Sequence, residues 1–188
     1  MNIIKTDFPG LLLIEPKVFG DARGYFFESY SERAMLAADI QTSFKQDNQS
    51  FSLYGVIRGL HFQRNPHSQT KLIRAAVGTI YDVALDMRKG SPTFGKWFGA
   101  ELSAENKRQL YIPQGFAHGF SVLSPQAVIV YKCDNFYDMS SEGGVRYNDP
   151  ALGIDWKIDA ESAIISDKDK MLPVFAQAVT NFEYTDRT

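Results

Sequence analysis

Residues 56–63 read VIRGLHFQ. Val56, Ile57, Leu60 and Phe62 carry the branched and aromatic side chains of a buried strand, yet Arg58 and His61 interrupt it. Arginine is seldom buried unless it is paired or functional. The spacing adds a second difficulty. Successive strand residues alternate between faces, so side chains three apart point to opposite sides of a regular sheet. Either the two serve different surfaces or the strand is not regular.

The surrounding sequence is rich in short strand signals. Strands are expected at about 51–63, 70–77, 79–87, 96–102, 108–112, 116–123 and 127–136, with Gly and Pro punctuation between them. Upstream, Leu11–Glu15 reads as a strand after Pro9-Gly10, and the turn GDARG (20–24) feeds a strand in YFFESY. SERAMLAADI (31–40) has the composition of a helix, with Ser31 as its cap. SAENKR predicts a helical turn and PVFAQAV a short helix. The whole predicts a mainly β, antiparallel sandwich or barrel with a few short helices. A single domain over residues 1–188 is expected: N-terminal strands to about 50, a core at about 51–137 and a mixed segment at about 138–188.

Composition narrows the function. The chain has 188 residues, is 44% hydrophobic and carries a net charge of −2, so it can fill a core but offers no bulk attraction to nucleic acid or an anionic membrane. An anionic ligand must be held by locally placed Arg and Lys. The one cysteine, Cys133, excludes an internal disulfide and suits a reducing compartment. The apolar run Leu11–Ile14 is too short for a signal core or a membrane span. A cytoplasmic location is expected.

A second segment, PQGFAHGF (113–120), places Pro113, Gly115 and His118 in a P-x-G-x-x-H pattern. With Gly55 and His61 of the first segment, it resembles the two motifs of the cupin superfamily, which implies a jelly-roll β-barrel. Metal-binding cupins need H-x-H and a nearby Glu in the first motif. Here it reads His61-Phe62-Gln63, with no Glu between Gln63 and Glu101, so the usual metal site is not assembled. His67, in the polar loop RNPHSQTK, reads as solvated. A buried histidine without a metal is either a structural hydrogen-bonding group or a general base. Arg58, Lys71, Asp82 and Tyr131 on neighbouring strands favour the base.

The resemblance then becomes narrower. EPKVFGDARGYFFESY, FKQDNQS, VIRGLHFQ, TKLIRAAVGTIYDVALDMRKGSPTFGKW, LSAENKRQLYIPQGFAHGFSVLS, VIVYKCDNFYDMSSEGGVRYNDPALGIDW and ISDKD resemble the dTDP-4-dehydrorhamnose 3,5-epimerases over about residues 15–170. That family inverts C3 and C5 of dTDP-4-keto-6-deoxy-D-glucose to give dTDP-4-keto-L-rhamnose, in dTDP-L-rhamnose biosynthesis, without a cofactor or metal. No Gly-rich dinucleotide loop is present, which agrees. The resemblance implies His61 as base, oriented by Asp169 (Asp167, two residues away, is the other candidate). It implies Tyr131 as the acid on the opposite face and Lys71 at the enolate oxygen. On their own, Asp169 would pass as a solvated loop acid, Tyr131 as a core tyrosine and Lys71 as a surface lysine.

For substrate binding the resemblance implies Arg23, Glu28, Gln46, Asp47, Asn48, Lys71, His118, Glu142 and Lys168, with Arg58 at the diphosphate and Tyr137 stacked on thymine. It also implies a homodimer whose N-terminal strands pair with the partner, so that Arg23 and Glu28 serve the neighbouring site. Three alternatives remain open at this point: a monofunctional 3- or 5-epimerase or ketoisomerase on a dTDP-4-keto-6-deoxy sugar, a metal-dependent cupin, and a binding barrel without catalysis. If Arg58 and His61 meet one substrate, the strand must be irregular. Gly59 between them is the expected position of a bulge or sharp twist.

Overall fold

The computed structural model describes residues 1–185. In chain order the elements are β1 (Asn2–Lys5), β2 (Leu12–Glu15), β3 (Val18–Asp21), β4 (Gly24–Phe27), α1 (Glu32–Ala37), β5 (Gln46–Leu53), β6 (Val56–Gln63), β7 (Lys71–Val77), β8 (Thr79–Asp86), β9 (Trp97–Ser103), β10 (Gln109–Ile112), β11 (Phe116–Val122), β12 (Gln126–Cys133), β13 (Glu142–Gly144), β14 (Ile164–Ile165) and α2 (Asp167–Lys170). One sheet has the order β1-β2-β10-β7-β12-β5, and the other β13-β6-β11-β8-β9 with β14 beside β6. The named pairs are antiparallel except β14 with β6. The two sheets stay separate, so the expected mainly β fold is realised as a sandwich.

Alternation along the strands builds the core. Ile73, Ala75, Leu110, Ile112, Ala127 and Ile129 from the first sheet meet Ile80, Ala84, Leu102, Phe116, Phe120 and Val122 from the second. Full burial of each large aliphatic side chain contributes about 1.5–3 kcal/mol. The outer face of the second sheet is covered by the C-terminal segment, whose Val145, Trp156 and Phe182 pack on Leu60, Phe62, Val83 and Leu85. On the outer face of the first sheet, Met35 of α1 and Ile40 pack on Ile14, Leu72 and Tyr111. β3 and β4 form a separate hairpin. Among the described residues, no helix is long and apolar enough to cross a membrane.

The expected strand at 51–63 is in fact two. β5 begins earlier, at Gln46, and belongs to one sheet, while β6 belongs to the other. The turn at Tyr54-Gly55 switches sheets. Gly55 has φ +80°, and a side chain there would lie 2.2 Å from the Ser162 carbonyl oxygen, so only glycine fits. SAENKR forms the expected single turn, closed by the Lys107 N–H on the Ser103 carbonyl at 3.0 Å, with Asn106 accepting from the Ser103 and Arg108 N–H groups. PVFAQAV holds only a short 3-10 turn at Phe175–Gln177. The expected helix at 31–40 is shorter, at Glu32–Ala37, and Ser31 does cap it by accepting from the Ala34 N–H.

Candidate active site

The irregularity in β6 lies at Gly59. His118 of β11 pairs with His61, and Phe120 pairs with Arg58. Two steps along β11 therefore span three along β6, which is a bulge. Gly59 has φ +116°, and a Cβ there would stand 2.7 Å from both the Gly119 Cα and the His118 carbonyl oxygen. The extra residue cancels the odd spacing. Arg58 and His61 consequently line the same cavity, of about 520 Å³, together with Lys71, His118, Phe120, Tyr131, Lys168 and Asp169.

The walls of this cavity come from different sheets. His61 and His118 enter from β6 and β11, while Lys71 and Tyr131 enter from β7 and β12. His61 Nε2 lies 2.7 Å from Asp169 Oδ1. The second oxygen of Asp169 accepts the Gly59 N–H at 3.1 Å. Ser166 caps α2 by accepting the Asp169 N–H, which fixes the carboxylate under the bulge. Burial pushes the Asp169 carboxyl up, but the bonds from His61, Gly59 and Ser166 outweigh it and hold the group below the usual carboxylate range. With Nε2 engaged, the other ring nitrogen of His61 is the one left for a ligand.

On the facing wall, burial pushes the Tyr131 phenol up, with only partial opposition from Arg58. Tyr131 is thus held protonated, the state a proton donor needs. The Lys71 amine is pushed down by burial, against the Cys133 and Asp82 groups nearby, and its nitrogen lies 6.0 Å from the Tyr131 ring centroid. Arg58 reaches to β5, donating to Ser52 Oγ at 3.0 Å and to the Phe51 carbonyl at 3.2 Å. His118 Nε2 lies 2.8 Å from Asp82 Oδ1. Among the described residues, no three of His, Cys, Asp and Glu cluster as metal ligands.

A polar rim leads outward from Lys168. Lys168 donates to Glu142 at 2.6 Å, and this bond pushes its amine up. Burial and then the Glu142 carboxylate push up the Tyr137 phenol. The Tyr137 N–H bonds Gln46, whose amide donates to Asn48.

A family model described as dTDP-4-dehydrorhamnose 3,5-epimerase matches residues 5–177. The chain belongs to the dTDP-4-dehydrorhamnose 3,5-epimerase family. A curated 3,5-epimerase of Shigella flexneri is 53% identical over 170 residues, covering 90% of this chain and 93% of its own. The crystal structure of the 3,5-epimerase of Elizabethkingia anophelis matches with a TM-score of 0.89 at 52% identity, over 94% of this chain and 97% of that one. The dTDP-6-deoxy-D-glucose-3,5-epimerase of Legionella pneumophila, solved in complex with dTDP-4-keto-L-rhamnose, matches with a TM-score of 0.89 at 47% identity, over 94% and 93%.

Of the residues that sequence resemblance to these epimerases singles out, Arg58, His61, Lys71, His118, Tyr131, Lys168 and Asp169 share the cavity. Glu142 is joined to the cavity through Lys168, and Tyr137, Gln46 and Asn48 are linked to one another by hydrogen bonds outside its lining. Asp167 is exposed and paired with Lys170, so Asp169 is the carboxylate against His61. Asp47 is not brought to the cavity: it alternates with its inward neighbours and pairs with Lys132 at 2.8 Å on the outer face of the sheet. Arg23 is paired with Asp21 on the exposed β3–β4 hairpin, and Glu28 follows that hairpin. Neither lines this cavity. His67 is half-buried rather than fully solvated, and its carbonyl accepts from Gln63. Two contributors escaped the sequence reading. Ser52 anchors Arg58, which only the fold reveals. Ser166 was legible as the cap of an S-x-x-D pattern.

Proposed function

We infer that the chain inverts C3 and C5 of dTDP-4-keto-6-deoxy-D-glucose to give dTDP-4-keto-L-rhamnose. The observation that carries the mechanism is one cavity with a carboxylate-backed histidine on one wall and Tyr131 on the other. The C4 ketone acidifies the C–H bonds on both neighbouring carbons. His61 takes the proton, and Asp169 stabilises the resulting imidazolium, as the carboxylate does in a serine-protease triad. Electrons from the C–H bond move onto the C4 oxygen as an enolate, beside the Lys71 ammonium. Tyr131 then protonates the same carbon from the opposite face. His61 and Tyr131 return to their starting states by proton exchange with water. The cycle repeats at the second carbon, and no electrons are gained or lost overall.

Arg58 suits the diphosphate because its planar fork presents paired donors to oxygen atoms. Tyr137 offers an exposed ring for thymine, and Gln46, Asn48, Glu142 and Lys168 flank it. His118 meets the sugar. The substrate supplies the electrophile, so the reading uses no cofactor. Cys133 is buried and free, which supports a reducing, cytoplasmic setting.

The working form is a homodimer in this reading. Phe19, Tyr25 and Phe26 of the β3–β4 hairpin are 54%, 60% and 67% exposed. A two-stranded ribbon with so much apolar surface needs a covering. A second copy provides it, and Arg23 and Glu28 then reach the neighbour's cavity.

Turnover in heavy water tests the function. The expected result is deuterium at both C3 and C5 of the product sugar. Label at one carbon only would establish a monofunctional epimerase. No label would remove the enzyme reading and leave a binding protein.

A further inference from the structure

Asp82 is a buried group that the mechanism above does not use. It sits on β8 with no solvent exposure, facing the interior beside Phe120. Its Oδ1 lies 2.8 Å from His118 Nε2. Its Oδ2 is buried and has no hydrogen-bond partner. A buried carboxylate oxygen without a partner costs free energy, and a core position could be filled more cheaply by an apolar residue. His118, in turn, makes its ring hydrogen bond through Nε2, which leaves Nδ1 for the cavity it lines.

We propose that Asp82 is a positioning residue of the epimerase site: one oxygen holds His118 in the Nε2–H form, so that Nδ1 accepts a hydrogen bond from a sugar hydroxyl, and the other sets a negative charge beside the Lys71 ammonium. The site then contains two histidine–carboxylate pairs with opposite duties. His61–Asp169 moves a proton. His118–Asp82 fixes an acceptor and leaves proton donation to Tyr131. Neutral His118 accords with burial and with the neighbouring Lys71 and His61, which together push the ring down against Asp82. Lys71 faces Cys133 and Tyr131 of β12, Asp82 of β8 and His118 of β11. Asp82 is the carboxylate in that set, so its charge counters the burial that drives Lys71 toward the neutral amine.

The inference rests on the epimerase reading, and its test separates the two. Asp82→Asn keeps the shape and an acceptor oxygen but removes the charge. Lys71 then loses its proton at lower pH, and the alkaline limb of kcat moves toward acid. The expected result is a kcat loss of about tenfold or more, KM within about twofold, and a shifted pH profile. An unshifted profile, or a kcat loss matched by equal loss of folded protein, overturns the proposal. Nitrogen-15 spectra of histidine in the wild-type protein give a check independent of variant folding. They are expected to show His118 protonated at Nε2 and bare at Nδ1, and the reverse tautomer overturns the assignment. Failure of the wild-type protein to turn over the keto sugar would instead remove the underlying activity.

Discussion

In the proposed mechanism His61 is the base, and its environment says how that role can be tested. It is 40% exposed in its side chain, while its partner Asp169 is 5% exposed. The imidazole can therefore be removed without opening the core. His61→Ala is expected to abolish solvent exchange at C3 and C5, with a loss of about 10³-fold or more, while dTDP binds as before in calorimetry. Normal turnover by that variant would show that another group is the base. The sequence singled out His61 as a titratable side chain inside an apolar strand, whereas Lys71 and Tyr131 gained their roles only from the family resemblance, since alone they read as a surface lysine and a core tyrosine. It did not announce the duty of Asp82, because a missing hydrogen-bond partner is a property of three dimensions. Nor could spacing alone show that Asp47 turns outward while Gln46 and Asn48 turn in. That follows only once Asp47 is seen opposite Lys132.

The bulge in β6 governs at the scale of the element. A regular strand would send Arg58 or His61 into the second hydrophobic layer, where Trp156 and Val145 sit. Gly59 makes the exception possible, because the atoms that crowd it belong to the backbone of β11 and cannot rotate away. Gly59→Ala is expected to cost roughly 1–3 kcal/mol from backbone conformation alone, with added strain against β11. Thermal melts should fall by about 5 °C or more, and kcat should drop further than folded-state loss explains, because Arg58 and His61 lose their common face. A variant with unchanged melting and turnover would show that the bulge is not needed. The irregularity was legible once the family resemblance put both side chains on one substrate, because the odd spacing alone also allowed them to serve different faces. The break between β5 and β6 was not. Leu53-Tyr54-Gly55 lacks the proline or asparagine of a strong turn signal, and a sheet switch is dictated by packing on both sides.

At the scale of the whole molecule, the sandwich was readable from short strands and their punctuation, but its outer coverings were not. The C-terminal segment has no strong periodicity, yet it supplies Val145, Trp156 and Phe182 to the layer outside the second sheet. The β3–β4 hairpin is left uncovered, with Phe19, Tyr25 and Phe26 exposed. If the proposed homodimer forms through this hairpin, Phe26→Glu shifts sedimentation from dimer to monomer at micromolar concentration and raises KM for the sugar nucleotide, because the proposed reach of Arg23 and Glu28 into a neighbour is lost. A wild-type monomer with full activity would defeat this arrangement.

His61 and Asp169 are 108 residues apart in the chain, and the strand that carries His61 pairs with β13 and β14 on the side away from β11. During synthesis the ribosome therefore releases β6 long before Asp169 exists to meet it. A nascent chain halted near residue 150 holds the histidine, the lysine and the tyrosine, but not the carboxylate that orients the first of them. In the proposed mechanism, the histidine–carboxylate pair is complete only once Asp169 has been added and has docked against His61.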